Sequence, residues 1–310
     1  MLKNVILTGA TGFIGRYLLK QLIEDGFYVT ALIRSKDKEK ELLEFLRRDN
    51  DFTEDKLTFI EASLEEIENL VFPEKNYFAW IQLAWGGVNR DEINNEEVHK
   101  KNYDYSIKCL HKAKELNCEK FIETGSRAEC GKNEIFIPEE MCGEPLNGYG
   151  KYKRLFYDYA FDFCKRNELD YLHLRLFAVT GPGDHPWSLV SECCRKFSNN
   201  EPMNFGSCKQ MWNYIDVRDV SRIISFLTNS FKPSLDDNCI INLASYKSVQ
   251  LIKYIEKIYK LTGSNSKLFF SDNKGFESNP IIDKIMSVYD ISQNISFETT
   301  IYDMLSCYFS

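Results

Sequence analysis

Three glycines in NVILTGATGFIGRYLL, residues 4–19, fall three apart at Gly9, Gly12 and Gly15. An apolar run, Val5 to Leu7, precedes them, and Phe13, Ile14, Tyr17, Leu18 and Leu19 follow at helical spacing. Backbone without a Cβ can approach a pyrophosphate closely, and the helix start that follows offers free N–H groups and a favourable dipole to the anion. In this strand-turn-helix setting the pattern predicts dinucleotide binding, the competing account being a tight turn that holds nothing. A second group fits the first. In NGYGKYKRLF, Tyr149 and Lys153 stand four residues apart and share one face of a helix. A phenol beside an ammonium, and near the charge of an oxidised nicotinamide, should ionise well below about 10 and give or take a proton near pH 7. Ser126, closing KFIETGS, could hydrogen-bond the reacting oxygen of a carbonyl or alkoxide. The alternative reading is an exposed helix pair and a strand-end cap.

The elements that must position these groups alternate in type. Strands are expected at 27–34 (FYVTALIR), 56–63 (KLTFIEAS), 77–85 (YFAWIQLAW), 120–126 and 171–177 (YLHLRLF), with helices over about 94–117 and 147–167. Such alternation calls for an α/β fold, a doubly wound parallel sheet of Rossmann type, whose ligands sit at the carboxyl ends of the strands. The glycine turn, IRS, EAS, LAWGG and TGS all fall at those ends. The expected division is a dinucleotide-binding domain over 1–177, to which 213–247 return, and a smaller C-terminal substrate lobe over most of 178–310.

Composition excludes several classes. The 310 residues are 44% hydrophobic with a net charge of −7, so a full core is available and no basic face invites nucleic acid. The run RSKDKEKELLEFLRRD reads as a solvated helix. No apolar stretch reaches the length of a membrane span and no cleavable leader is expected, which places the chain in the cytoplasm. Its ten cysteines are then expected to be reduced, with adjacent Cys193 and Cys194 in the core, and no C-x-x-C pair suggests a metal.

TGATGFIG, IQLAWGG, Asn102, TGSRAECG, YGKYK, RLFAVTGPGD, WNYIDVRDV and INLAS occur in that order, and over nearly its whole length the chain resembles the extended short-chain dehydrogenase/reductase (NAD-dependent epimerase/dehydratase) family, in its branch that modifies nucleotide sugars. The resemblance implies Ser126, Tyr149 and Lys153 as the catalytic set. It implies a cofactor site of Gly9, Thr11, Gly12, Phe13, Ile14, Gly15, Arg34, Ser63, Leu64, Leu83, Ala84, Trp85 and Asn102 with Tyr149 and Lys153. On the substrate side it implies Ser126, Arg127, Ala178 and Trp212, and it implies a homodimer through the aromatic-rich helix near 147–167 and the helix near 95–117. GSRAECG and GPGDHPW…MWNYIDV are closest to the branch that makes unusual deoxysugars for bacterial surface glycans.

Departures from the family pattern refine the expectation. Arg34 follows the second strand where NAD-using relatives carry an Asp; an Arg pairs with a 2′-phosphate, so NADP is favoured, with NAD as the alternative. Ala178 and Trp212 replace an Asn and an Arg that hold the diphosphate in relatives, leaving Lys196, Lys209 and Arg218 as candidate replacements. The leading expectation is an NADPH-dependent reductase of a 4-keto-6-deoxy nucleoside-diphosphate sugar. An NAD-retaining 4-epimerase is the alternative, and a non-catalytic NADP-binding sensor is the alternative from another class.

Overall fold

Val5, Ile6 and Leu7 are fully buried because their strand, β1 (Asn4–Thr8), has hydrogen-bonded neighbours on both sides. An interior parallel strand covered on both faces needs no polar alternation. The computed structural model describes residues 3–48, 52–132, 135–234 and 237–309. From β1 the chain continues through α1 (Phe13–Glu24), β2 (Tyr28–Ile33), α2 (Lys36–Leu46), β3 (Leu57–Glu61), β4 (Ala79–Gln82), α3 (Glu96–Glu115), β5 (Lys120–Ser126), α4 (Gly148–Asn167) and β6 (Asp170–Leu176). It then forms β7 (Ala178–Thr180), α5 (Leu189–Ser198), β8 (Met203–Phe205), β9 (Met211–Trp212), β10 (Tyr214–Asp216), α6 (Val217–Ser230) and β11 (Ile240–Leu243). Last come β12 (Val249–Gln250), α7 (Leu251–Leu261), β13 (Leu268–Phe270), α8 (Asp283–Met286) and α9 (Phe297–Phe309).

A seven-stranded sheet in the order β11-β6-β5-β4-β1-β2-β3 organises the first of two compact units, Met1–Glu129 with Pro145–Arg175 and Ser221–Ile241. The pairs β1–β2, β1–β4, β2–β3 and β4–β5 are parallel, and helices connect the strands, giving the doubly wound α/β architecture. α1 presents Leu18, Leu19, Leu22 and Ile23 to the core, a stripe that follows from their spacing. Helix starts are written locally: Ser35, Asn95 and Asn147 each accept a backbone N–H in the first turn of α2, α3 and α4.

The second unit comprises Cys130–Glu144, Leu176–Val220 and Asn242–Ser310. Its core brings Cys193, Cys194 and Phe197 of α5 against Ile255 and Ile258 of α7 and Ile301 of α9, and both adjacent cysteines are fully buried. Short pairs supplement it: β10–β7 and β13–β8 are parallel and β12–β9 antiparallel. No disulfide joins the ten cysteines. Among the described residues no helix is long and apolar enough to cross a membrane, and no cluster of His, Cys, Asp or Glu has the makings of a metal site.

Candidate active site

The glycine turn links β1 to α1 as a tight loop, with the Gly12 N–H bonded to the Gly9 carbonyl at 3.0 Å. Gly9 sits at φ +74, and a Cβ on Gly15 would lie 2.0 Å from the Gly9 oxygen, so the turn closes only without side chains. Gly12 is exposed and caps α1 without a side-chain hydrogen bond. The first N–H groups of α1 therefore have no side chain competing for them at that cap, as a pyrophosphate cradle requires. Thr11, Phe13 and Ile14 lie in the same loop and first turn.

The neighbouring strand end is fixed by Thr8. Its hydroxyl donates to Gln82 Oε1 at 3.0 Å and accepts the N–H groups of Leu83 and Ala84 at 3.2 Å, locking the β4 exit beside the turn. Asn102 of α3 clamps Gly86, accepting its N–H and donating to its carbonyl, both at 3.0 Å. Asn102 thus acts directly on the Trp85–Gly86 backbone, and its amide is already engaged there. At the far strand ends Arg34 is exposed after β2, next to Ser35, the α2 cap. Ser63 binds Glu66, and Leu64 beside it is half-buried.

Ser126, Tyr149 and Lys153 converge in this unit. Tyr149 and Ser126 share a side-chain hydrogen bond, and the Ala128 N–H donates to Ser126 Oγ at 3.2 Å. Lys153 is 2% exposed; its ammonium donates to the Thr124 carbonyl at 2.5 Å and lies 4.1 Å over the Trp85 ring. Trp85 also meets Tyr149 edge-on at 6.1 Å and donates its indole N–H to His99 Nδ1 at 3.3 Å. His99 must then carry its proton on Nε2, which donates to the Ile93 carbonyl at 3.1 Å. That carbonyl also receives the Tyr149 N–H at 3.0 Å, so Trp85, His99 and the start of α4 hold one another in place.

The protonation of the site departs from expectation. Burial and the negative charge of Glu129 push the Tyr149 phenol above its usual 10, against the opposing hydrogen bond from Ser126. Burial lowers the Lys153 ammonium, and Glu123 and Glu129 oppose that shift. The depression expected from the Tyr-Lys spacing therefore does not arise from Lys153 alone: the ammonium is desolvated and directed at Thr124 and Trp85.

Beneath Ser126 lies a buried ionic group that the spacing arguments missed. The Ser126 N–H donates to Glu129 Oε1 at 2.6 Å, and Glu129 Oε2 lies 2.8 Å from His173 Nε2 and 3.3 Å from Arg175 Nε. His173 Nδ1 lies 2.9 Å from Glu123 Oε1, which also accepts the Tyr171 hydroxyl. The signal was present in YLHLRLF, where Tyr171, His173 and Arg175 alternate with leucines, polar positions on one face of a strand that is buried from Tyr171 to Arg175.

The remaining expected substrate residues belong to both units. Arg127 is buried in the 3-10 turn after β5. Ala178 and Trp212 belong to the second unit: Ala178 pairs with Tyr214, and half-buried Trp212 pairs with Val249 and packs against that unit's core and Phe276. Two of the three candidate cations are engaged: Arg218 binds Asp216 and Asp303, and Lys196 binds Glu192. The ion pairs direct both toward neighbouring carboxylates; Lys209 is exposed.

Residues 5–244 match the model of the NAD dependent epimerase/dehydratase family. Among curated proteins, CDP-abequose synthase of Salmonella muenchen is 26% identical over 86% of this chain and 83% of its own length. The dTDP-4-dehydro-6-deoxyglucose reductase of Escherichia coli is 26% identical over 90% and 88%. Among solved structures, UDP-glucose 4-epimerase of Thermotoga maritima superposes with a TM-score of 0.82 at 21% identity, covering 98% of both chains. The UDP-glucuronic acid 4-epimerase of Bacillus cereus, solved with UDP-glucuronic acid and NAD, superposes with a TM-score of 0.80 at 18% identity over 98% of each chain.

Proposed function

The chain belongs to the NAD-dependent epimerase/dehydratase family, an enzyme family whose members here modify nucleotide sugars, and from that premise we propose that it is an NADPH-dependent reductase of a 4-keto-6-deoxy nucleoside-diphosphate sugar. The observation that carries the reading is the Ser126–Tyr149 hydrogen bond beside buried Lys153, at the strand ends next to the glycine turn. One relative at 26% identity is named a CDP-abequose synthase and another a dTDP-4-dehydro-6-deoxyglucose reductase, and the second name favours net reduction over epimerisation. Arg34 at the end of β2 favours the 2′-phosphate of NADP, through a charge-assisted contact next to the α2 N-terminus.

The Gly9–Gly15 turn and the strand ends at Leu83–Trp85, Arg34 and Ser63–Leu64 would hold a nicotinamide dinucleotide, which supplies hydride to the carbonyl carbon. Ser126 Oγ fixes the carbonyl oxygen, and Tyr149 delivers its proton to that oxygen as charge develops there. A phenol held above 10 by burial and Glu129 stays protonated at neutral pH, the state an acid needs in the reductive direction. Lys153, one turn along α4 from Tyr149, supplies a buried cation to the site. Ala178 and Trp212 belong to the substrate side of this account, with Arg127. The aromatic faces of α3 and α4, where His111 stacks on Phe163 at 4.8 Å and Leu155 is 42% exposed, are proposed as a homodimer interface, in a cytoplasmic enzyme.

Tyr149→Phe separates this reading from a cofactor sensor. Under the proposal the variant binds NADPH as the wild type does and loses turnover by about a thousandfold, the middle of the range for general acid catalysis. Unchanged turnover overturns the role of Tyr149. NAD retained through purification, with no net oxidation of added NADPH, would point to a 4-epimerase.

A further inference from the structure

The buried cluster under Ser126 is more than a structural ion pair, because its members meet the catalytic segment directly. Both ring nitrogens of His173 face carboxylate oxygens, at 2.8 and 2.9 Å, so both must donate and the ring is an imidazolium. Burial would remove that proton; Glu129 and Glu123 reverse the effect and raise the group to about 9. Burial would likewise protonate Glu129, but His173 and Arg175 hold it down at about 2. Gly125 makes the arrangement possible, since a Cβ there would lie 2.1 Å from His173 Nε2.

We propose that Glu129 is a positioning residue for the reaction: one carboxylate oxygen pins the Ser126 amide and the other is anchored on His173 and Arg175, so that a buried carboxylate fixes the serine that works with Tyr149. The inference rests on the reading of Tyr149 as the proton donor. The groups around the carboxylate come from each packed element: Glu123 on β5, Arg127 in its own turn, Tyr149, Lys153 and Asp158 on α4, and Tyr171, His173 and Arg175 on β6. One carboxylate oxygen binds the Ser126 N–H and the other meets the two counter-cations. Burial keeps the Tyr149 phenol protonated, and the negative charge of Glu129 adds to that effect.

Glu129→Gln is close to isosteric and keeps the Ser126 and His173 bonds, while the Arg175 Nε–H then faces an amide N–H₂ in place of an acceptor. The amide oxygen accepts the Ser126 N–H, and the amide N–H₂ donates to a His173 that has become neutral and keeps its Nδ1 proton on Glu123. The substitution removes the anion beside the phenol together with the cation behind it. Tyrosinate absorbance is titrated with NADP⁺ present, in the wild type and in each variant, each against the same protein carrying Tyr149→Phe so that only Tyr149 is read. The expected result is a roughly tenfold larger ionisation constant for Tyr149 in Glu129→Gln, about one pH unit lower, and a smaller shift in the same direction in Glu123→Gln. The second variant carries the test if the first fails to fold. An unmoved Tyr149 titration in folded protein overturns the inference. Full turnover in Tyr149→Phe would instead remove the reading on which it rests.

Discussion

The ionic cluster makes stability depend on pH in a calculable way. A group raised in the folded state contributes stability that is fully present below its unfolded value and is lost as pH rises through its folded value. For His173, raised from 6.5 to about 9, the loss runs between those limits at about 1.4 kcal/mol per unit, or about 3 kcal/mol in all. Glu129, lowered from 4.5 to about 2, gives the mirror arm: its contribution is present above 4.5 and lost as pH falls through 2. Both arms describe the same ion pair and are not added. The cluster alone therefore sets a plateau between about 4.5 and 6.5. Over the full basic range the loss amounts to roughly 6 to 12 °C in melting temperature for a unit of this size. The assay is denaturant unfolding at pH 7.0 and 8.5, a window below the ordinary cysteine value of 9.0, where the several buried thiols would add their own slope. The wild type should lose about 2 kcal/mol across that window, and His173→Gln should be nearly flat. Equal stability of the wild type at the two pH values, or an undiminished slope in the variant, would refute the assignment of a buried imidazolium.

Gly15→Ala places a Cβ 2.0 Å from the Gly9 oxygen; the turn must open, and NADPH affinity by calorimetric titration should fall by about a hundredfold or more, the loss of several backbone contacts. Arg34→Asp should move the ratio of turnover efficiencies with NADPH and NADH toward NADH by about 10- to 100-fold, the equivalent of a charged hydrogen bond and a new repulsion. Trp85→Ala removes the ring 4.1 Å from the Lys153 ammonium, worth about 2 kcal/mol for a desolvated pair; a lower melting temperature and an approximately tenfold lower kcat are expected, with NADPH binding retained.

What could be read from the sequence was whatever depends on neighbours along the chain. The run Val5–Leu7 and the glycines after it gave β1, the tight turn and α1, and KFIETGS gave β5 to the residue. The aromatic-rich segment at 147–167 gave α4 as Gly148–Asn167. Strand ends were harder: 77–85 contracts to Ala79–Gln82, because Leu83 and Ala84 spend their N–H groups on Thr8 rather than on a ladder. The two-residue strands β9 and β12 were not visible, since among the described residues they pair with each other, far apart in sequence. In the site, the Tyr-Lys spacing and the serine were legible, but the electrostatics were not. Glu123, Glu129, His173 and Arg175 come from two strands and a turn, and only folding makes them one charge-balanced group, whose carboxylates add to burial in raising the phenol. Asn102 and Trp85 show the same limit: their positions were anticipated, while the Gly86 clamp and the indole over Lys153 depend on α3 and α4 packing side by side.

The central claim is net hydride transfer to a 4-keto sugar, and nicotinamide absorbance tests it directly. The enzyme is mixed with NADPH, and separately with NADH, against 4-keto-6-deoxy nucleoside-diphosphate sugars generated in place by their dehydratases. The account predicts oxidation of NADPH with at least one of them, slower with NADH, and abolished in Tyr149→Phe. NADPH that binds and yet is not consumed with any member of the panel would contradict it.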